Sequence, residues 1–257
     1  MTPTLSTPAL VLHTTAYSET SVIAKIFTRQ LGVRSYIIKG VRKGGSKTKQ
    51  NLLQPLSHLD LVVYNNPRTQ INYIKEIGPH INASATPLSE GCHDSGGICN
   101  PVQQSSTQAI HNALRFFMTE VLYKTLREEE PMPELFDYVA DSSSFPSGVK
   151  LSQHPIQFLL KVSRHLGIEP LDNYSSREPL FDLLAGRFQY AGEHTLDSAT
   201  SQLLHYYLQS VHTGSPLPLS TLAQRTELIN RLLEYYQMHL AEFRNFKSHE
   251  ILHTVLQ

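Results

Sequence analysis

The sequence predicts an α+β protein, a five-stranded β-barrel followed by an all-α part. Three observations predict it. Over the first 80 residues the apolar side chains alternate in short runs separated by turn residues. From residue 108 onward they recur near every 3.6 residues. Between the two lies "NASATPLSEGCHDSGGICNPVQQSST" (82–107), rich in Ser, Gly, Pro and Asn, which reads as a linker or long surface loop. The expected organisation is a barrel over 1–80, a linker over 81–107 and a helical domain over 108–257.

The strands follow in order. "PALVLHT" (8–14) is short and aliphatic. "SVIAKIFT" (21–28) places Val22, Ala24 and Ile26 on one face and Ile23, Lys25 and Phe27 on the other. "VRSYIIKG" (33–40) follows a turn at "RQLG". "HLDLVVYN" (58–65) turns Leu59, Leu61 and Val63 inward and Asp60 outward, and "TQINYIKEI" (69–77) follows the turn signal "NNPR". The helices are expected over 108–130, ended by Pro131 and Pro133, over the "PELFDYVADSSS" segment, over 154–170, 197–212 and 220–243, the last with Ser220 as N-cap.

Formal charge is zero overall but divided along the chain. Residues 1–80 carry ten Lys and Arg against three acids, a net +7, and residues 81–257 carry twelve against nineteen, a net −7. Eight cations and no acid lie between Glu19 and Asp60. Such a field attracts polyanions. It centres on "IIKGVRKGGSKTKQ" (37–50), where Lys39, Arg42, Lys43, Lys47 and Lys49 share a loop with three glycines.

Glycine with cations points to phosphate, of a nucleotide or of a nucleic-acid backbone. A P-loop needs G-x-x-x-x-G-K-[ST] between a strand and a helix. Gly40 and Gly45 have that spacing, but Ser46 follows, Lys47 and Thr48 fall one residue late, and "TKQNLLQPLSH" is a poor helix. A divergent nucleotide hydrolase is therefore the weaker alternative. Cys92, His93 and Cys99 lack the paired C-x₂₋₄-C spacing of a structural zinc site, and two cysteines make no disulfide framework. Glu128, Glu129 and Glu130 read as a solvated charge run at a helix end. No motif assigns a catalytic residue, and no metal or cofactor is expected. No run of about 18 apolar residues predicts a membrane span, and a cytoplasmic protein without a secretory signal is expected.

A barrel with a long cationic loop fits sequence-independent binding of single-stranded nucleic acid. Lys25, Arg29 and Arg34 would widen the phosphate track, and Tyr36, between Arg34 and Lys39, is the preferred base-stacking side chain. RNA is the alternative polymer, since a basic barrel does not distinguish the sugars well.

The stretch 10–64 resembles the start of the bacterial recombination mediators of the RecO family. The resemblance rests on "Y-x-E-T" (Tyr17 to Thr20), "F-T-x-x-x-G" (Phe27 to Gly32), "K-G-x-R" (Lys39 to Arg42) and "L-Q-P-L" (Leu53 to Leu56), then "YIKEI" (73–77) and "LLEYYQMHLAEFRNFKSHEIL" (232–252). It implies an OB-fold and a helical domain in a cytoplasmic, nucleoid-associated protein without enzymatic activity. It also implies binding of single- and double-stranded DNA, annealing, and help in loading RecA onto strands coated by single-strand-binding protein. The implied partners are RecR and the C-terminal tail of single-strand-binding protein. Such an acidic tail calls for cations beside an apolar pocket, for which Arg225, Arg231, Arg244 and Lys247 are the candidates. Many members carry a four-cysteine zinc site in the helical part. Here "REPLFDLLAGRFQYAG" (177–192) takes that place without ligands.

Overall fold

The computed structural model describes residues 4–41, 47–64, 71–80, 101–146 and 150–255, without the side chains at 47–49, 101–106 and 253. Five strands form first: β1 (Thr4–Ala16), β2 (Val22–Thr28), β3 (Gly32–Ile38), β4 (His58–Tyr64) and β5 (Ile71–Pro79). They close into a barrel in the order β1-β2-β3-β5-β4, all antiparallel except the β3–β5 pair. A short helix, α1 (Lys47–Leu52), stands between β3 and β4. This is the expected OB-fold.

The period of two explains the barrel core. Ala9 and Val11 of β1, Ala24 and Ile26 of β2, Tyr36 and Ile38 of β3, and Leu59, Leu61 and Val63 of β4 all point inward and are buried. β1 is long enough to pair with β2 on one side and β4 on the other. A register shift between Val11 and His13 bends it, the device by which a strand turns a barrel corner. α1 corrects the expectation of no helix after the cationic loop. It has only six residues, and Leu52 and Leu53 at its end pack on the core, so burial rather than intrinsic propensity supports it.

Two compact units divide the chain, residues 1–115 with 126–144, and residues 116–125 with 145–257. The helix α2 (Pro101–Thr125) runs through both ranges and begins inside the stretch expected to be linker. α3 (Pro133–Ser143) groups with the barrel, where Phe136 meets Phe27 of β2 edge-on at 5.4 Å and Ser143 lies 2.9 Å from the His58 ring. Phe27 is on the outward face of β2, and this packing is why it is nonetheless buried.

In the second unit α4 (His154–His165), α5 (Ser198–Thr213) and α6 (Leu222–His239) pack pairwise. Leu159, Leu204, Tyr207, Leu208, Leu232 and Tyr236 are all buried. The Tyr236 hydroxyl donates to the Leu159 carbonyl at 2.6 Å, so the ring is buried with its polar end satisfied. Asp197 caps α5 by accepting from the Ala199 and Thr200 amides. α6 starts with a capping box of Thr221 and Gln224, one residue beyond the expected Ser220.

This unit is not purely helical, which corrects the all-α expectation. β6 (Leu180–Asp182) and β7 (Arg187–Gln189) form a hairpin that buries Phe181 against Phe188. α7 (Ser248–Val255), also outside the expected elements, closes the described chain. Among the described residues no helix is long and apolar enough to cross a membrane.

Candidate nucleic-acid interface

The eight cations of residues 20–59 separate into two groups. Lys25, Arg29 and Arg34 meet the segment that joins α2 to α3, together with α3 itself. Lys25 Nζ lies 3.3 Å from Glu128, and Arg34 Nε 3.8 Å from Glu129. Arg29 grips Asp137 with two hydrogen bonds, Nε to Oδ1 at 2.7 Å and Nη2 to Oδ2 at 2.8 Å. That donated pair holds the Asp137 carboxyl below its ordinary range and raises the guanidinium.

The backbone places these acids. The Glu129 amide donates to the Val33 carbonyl at 2.9 Å, and Glu128 bridges Val33 in parallel register. Glu128 and Glu129 stay exposed, as expected of a solvated charge run, while their backbone is tied to β3. Gly32 makes the approach possible. It has φ +66, and a Cβ there would stand 2.3 Å from the Glu130 carbonyl oxygen. The acids lie about a hundred residues from their partners along the chain (108 for Arg29 and Asp137), so no local pattern could reveal the pairing.

The second group is the loop. Lys39 follows β3 and is exposed, with its Nζ 5.8 Å from the centre of the Tyr73 ring on β5. Gly40 has φ +72 at the start of the connection, a conformation that costs glycine little. Arg42 and Lys43 lie outside the described residues. Lys47 and Lys49 stand on α1 by backbone only.

Tyr36 does not belong to a nucleic-acid surface. It is 0% exposed, with its ring in the barrel core, so it cannot stack on a base, which corrects the expectation for this side chain. Burial pushes its phenol up to about 12, and its hydroxyl has no hydrogen-bond partner among the described residues. An unsatisfied buried hydroxyl carries a desolvation cost of roughly 1–3 kcal/mol. Tyr36→Phe is therefore expected to leave the urea midpoint unchanged or raise it, and to leave DNA affinity unchanged. A lowered midpoint would show that the hydroxyl is satisfied after all. Among the described aromatics of the barrel, Tyr17, Tyr64 and Tyr73 are exposed, at 58%, 38% and 52%.

The four cations expected to hold an acidic tail do not converge on one pocket. Arg225 donates to the Ser220 carbonyl at 2.5 Å near the start of α6. Arg231 is held between Glu227 and Glu234, at 2.8 Å from each. Arg244 and Lys247 are exposed, and the Lys247 amide donates to Glu120. A groove of about 450 Å³ between α6 and α7 has Leu233, Phe246 and His249 in its lining, with Glu234 and Glu250, but none of the four cations.

The hairpin β6–β7 does not fit a zinc ion. It has no cysteine, and both Asp182 oxygens are used: Oδ1 accepts from the Ala185 amide and Oδ2 from the Gln189 side chain, each at 2.7 Å. Among the described residues no group of three or more His, Cys, Asp or Glu side chains could hold a metal. His205 and His212 meet carboxylates instead, Asp172 at 2.6 Å and Glu169 at 2.7 Å. Cys92 and Cys99 lie outside the described residues.

Residues 1–80 match the family model "Recombination protein O N terminal". The whole chain is similar to proteins named "DNA repair protein RecO". That of Christiangramia forsetii is 28% identical, with 98% of each chain covered. That of Bacteroides fragilis is 27% identical, with 96% of each covered. That of Porphyromonas gingivalis is 28% identical, covering 96% of this chain and 97% of its own. These names denote a DNA repair protein. The barrel order and the helical part agree with a likeness that runs from end to end, and the chain is similar over its whole length to RecO DNA repair proteins.

Proposed function

We propose that the chain is a recombination mediator that binds DNA through the cations of its β3–β4 connection, brings complementary strands together and helps load RecA onto strands coated by single-strand-binding protein. One observation carries this reading. Of the eight cations in the acid-free stretch, three face internal carboxylates, while Lys39, Arg42, Lys43, Lys47 and Lys49 cluster in sequence on a single connection of an OB barrel. Contacts from such a loop go to phosphates and carry no sequence information. Screening two strands at once lowers their mutual repulsion, which is the physical requirement for annealing.

RecR and the tail of single-strand-binding protein are the protein partners in this reading. For the tail, Arg244 and Lys247 are the better placed of the four cations. Arg231 is already neutralised by two glutamates, and Arg225 is turned to the backbone at the start of α6.

The test is annealing of complementary oligonucleotides, bare and coated with single-strand-binding protein. The protein is expected to accelerate both reactions, and Arg244→Ala with Lys247→Ala to slow the coated one alone. No acceleration on either substrate would overturn the mediator reading. Equal rates for the double variant and the wild type on coated strands would remove the tail site.

A further inference from the structure

The outward face of the barrel carries an apolar row that the cationic loop does not account for. On β2 and β3 the inward residues are Ala24 and Tyr36, which pair across the ladder, and Asn72 of β5 pairs with Tyr36 from the other side. Alternation therefore turns the next residues outward. Ile23 pairs with Ile37, and Ile37 pairs with Tyr73, so these three side chains form one row across three strands. Ile23 and Ile37 are half-buried and Tyr73 is exposed. The row lies on the β2–β3 face, the face with which OB barrels meet oligonucleotides.

The surrounding charge favours a polyanion over a protein partner. Lys39 lies over the Tyr73 ring, within the roughly 6 Å range of a cation–π contact. Lys75 follows two positions along β5 and is exposed on the same face. The nearby acids are engaged, Glu76 by Lys75 at 3.4 Å and Asp60 by His80 at 2.8 Å. Lys75 is paired with Glu76, so Lys39 is the ammonium group beside the ring, and an exposed phenol under an ammonium group suits a base with its phosphate.

We infer that Tyr73, backed by Ile37 and Ile23 and flanked by Lys39, is a stacking platform for an unpaired base, and that it gives this surface a preference for single-stranded nucleic acid. This rests on the DNA-binding reading above and names the side chain that reads the strand as unpaired. A duplex keeps its bases stacked inside and offers this ring only phosphates.

The test compares an oligothymidylate of about ten nucleotides, within the usual reach of an OB barrel, with the same strand made abasic. Wild-type protein is expected to bind the abasic strand about tenfold more weakly, a typical loss for one stacked base. Tyr73→Ala is expected to bind both strands at the weaker level, and Tyr73→Phe to behave as wild type. A thermal melt of Tyr73→Ala checks that this exposed position leaves the fold intact. Equal, salt-sensitive binding of both strands by the wild type would overturn the platform and leave the cationic loop standing. So would a Tyr73→Ala protein that still discriminates between them, since another ring, or a protein partner on this face, would then be its use. Binding of neither strand would remove the DNA-binding reading together with the platform.

Discussion

Replacing Lys39, Arg42, Lys43, Lys47 and Lys49 together with alanine is expected to weaken binding of single-stranded DNA on the order of a thousandfold near ~0.1 M salt. The magnitude comes from counterion release. Five neutralised phosphates on a single strand give a slope of log K against log salt of roughly −3.5, and that contribution vanishes near ~1 M salt. The variant is expected to show a slope near zero at every salt concentration. A matched control removes charge without changing the net: Lys25→Ala with Glu128→Ala, Arg29→Ala with Asp137→Ala, and Arg34→Ala with Glu129→Ala. Because each of these cations faces a carboxylate, the control is expected to keep the wild-type slope. A control slope shallower by about 2 would mean that all three cations leave their carboxylates for phosphates.

Gly32→Ala is expected to destabilise the protein by about 3 kcal/mol or more, read as a lowered urea midpoint. The positive φ alone costs an alanine roughly 1–2 kcal/mol. The added methyl would then stand 2.3 Å from the Glu130 carbonyl oxygen and 2.8 Å from the Glu130 nitrogen. These are backbone atoms and have no rotamer by which to retreat. Relief requires that residues 128–130 move away from Val33, with loss of the amide bond from Glu129. A loss below about 1 kcal/mol would show that this connection yields, and that the acids beside Lys25 and Arg34 are loosely held.

The barrel was legible because its strands alternate strongly. In β4 the inward Leu59, Leu61 and Val63 are separated by a charged Asp60, and the structure places all three at 0% exposure. β3 is different. In "SYII" both parities are apolar, Tyr36 and Ile38 on one and Ile37 on the other, so the pattern does not say which faces the core. Tyr36 went inward, while β5 places exposed Ile71, Tyr73 and Lys75 opposite buried Asn72. In the helical part the long amphipathic runs were readable, while β6 and β7, at three residues each, are too short for a period to register. The same brevity hid α1 and α7, which owe their stability to packing rather than to local propensity.

Sequence alone determined the α+β class, the five strands, the acid-free cationic stretch and the likeness to RecO proteins. All of these are written in residue type and local spacing. Only the tertiary structure decided which cations face carboxylates and which aromatics are exposed. Charge is counted along the chain, but neutralisation depends on distance in space, and Glu128, Glu129 and Asp137 reach Lys25, Arg34 and Arg29 across about a hundred residues. Strand parity is likewise settled by which face the closed barrel buries. Folding brings those partners together and sets that face, and neither can be read from the order of residues.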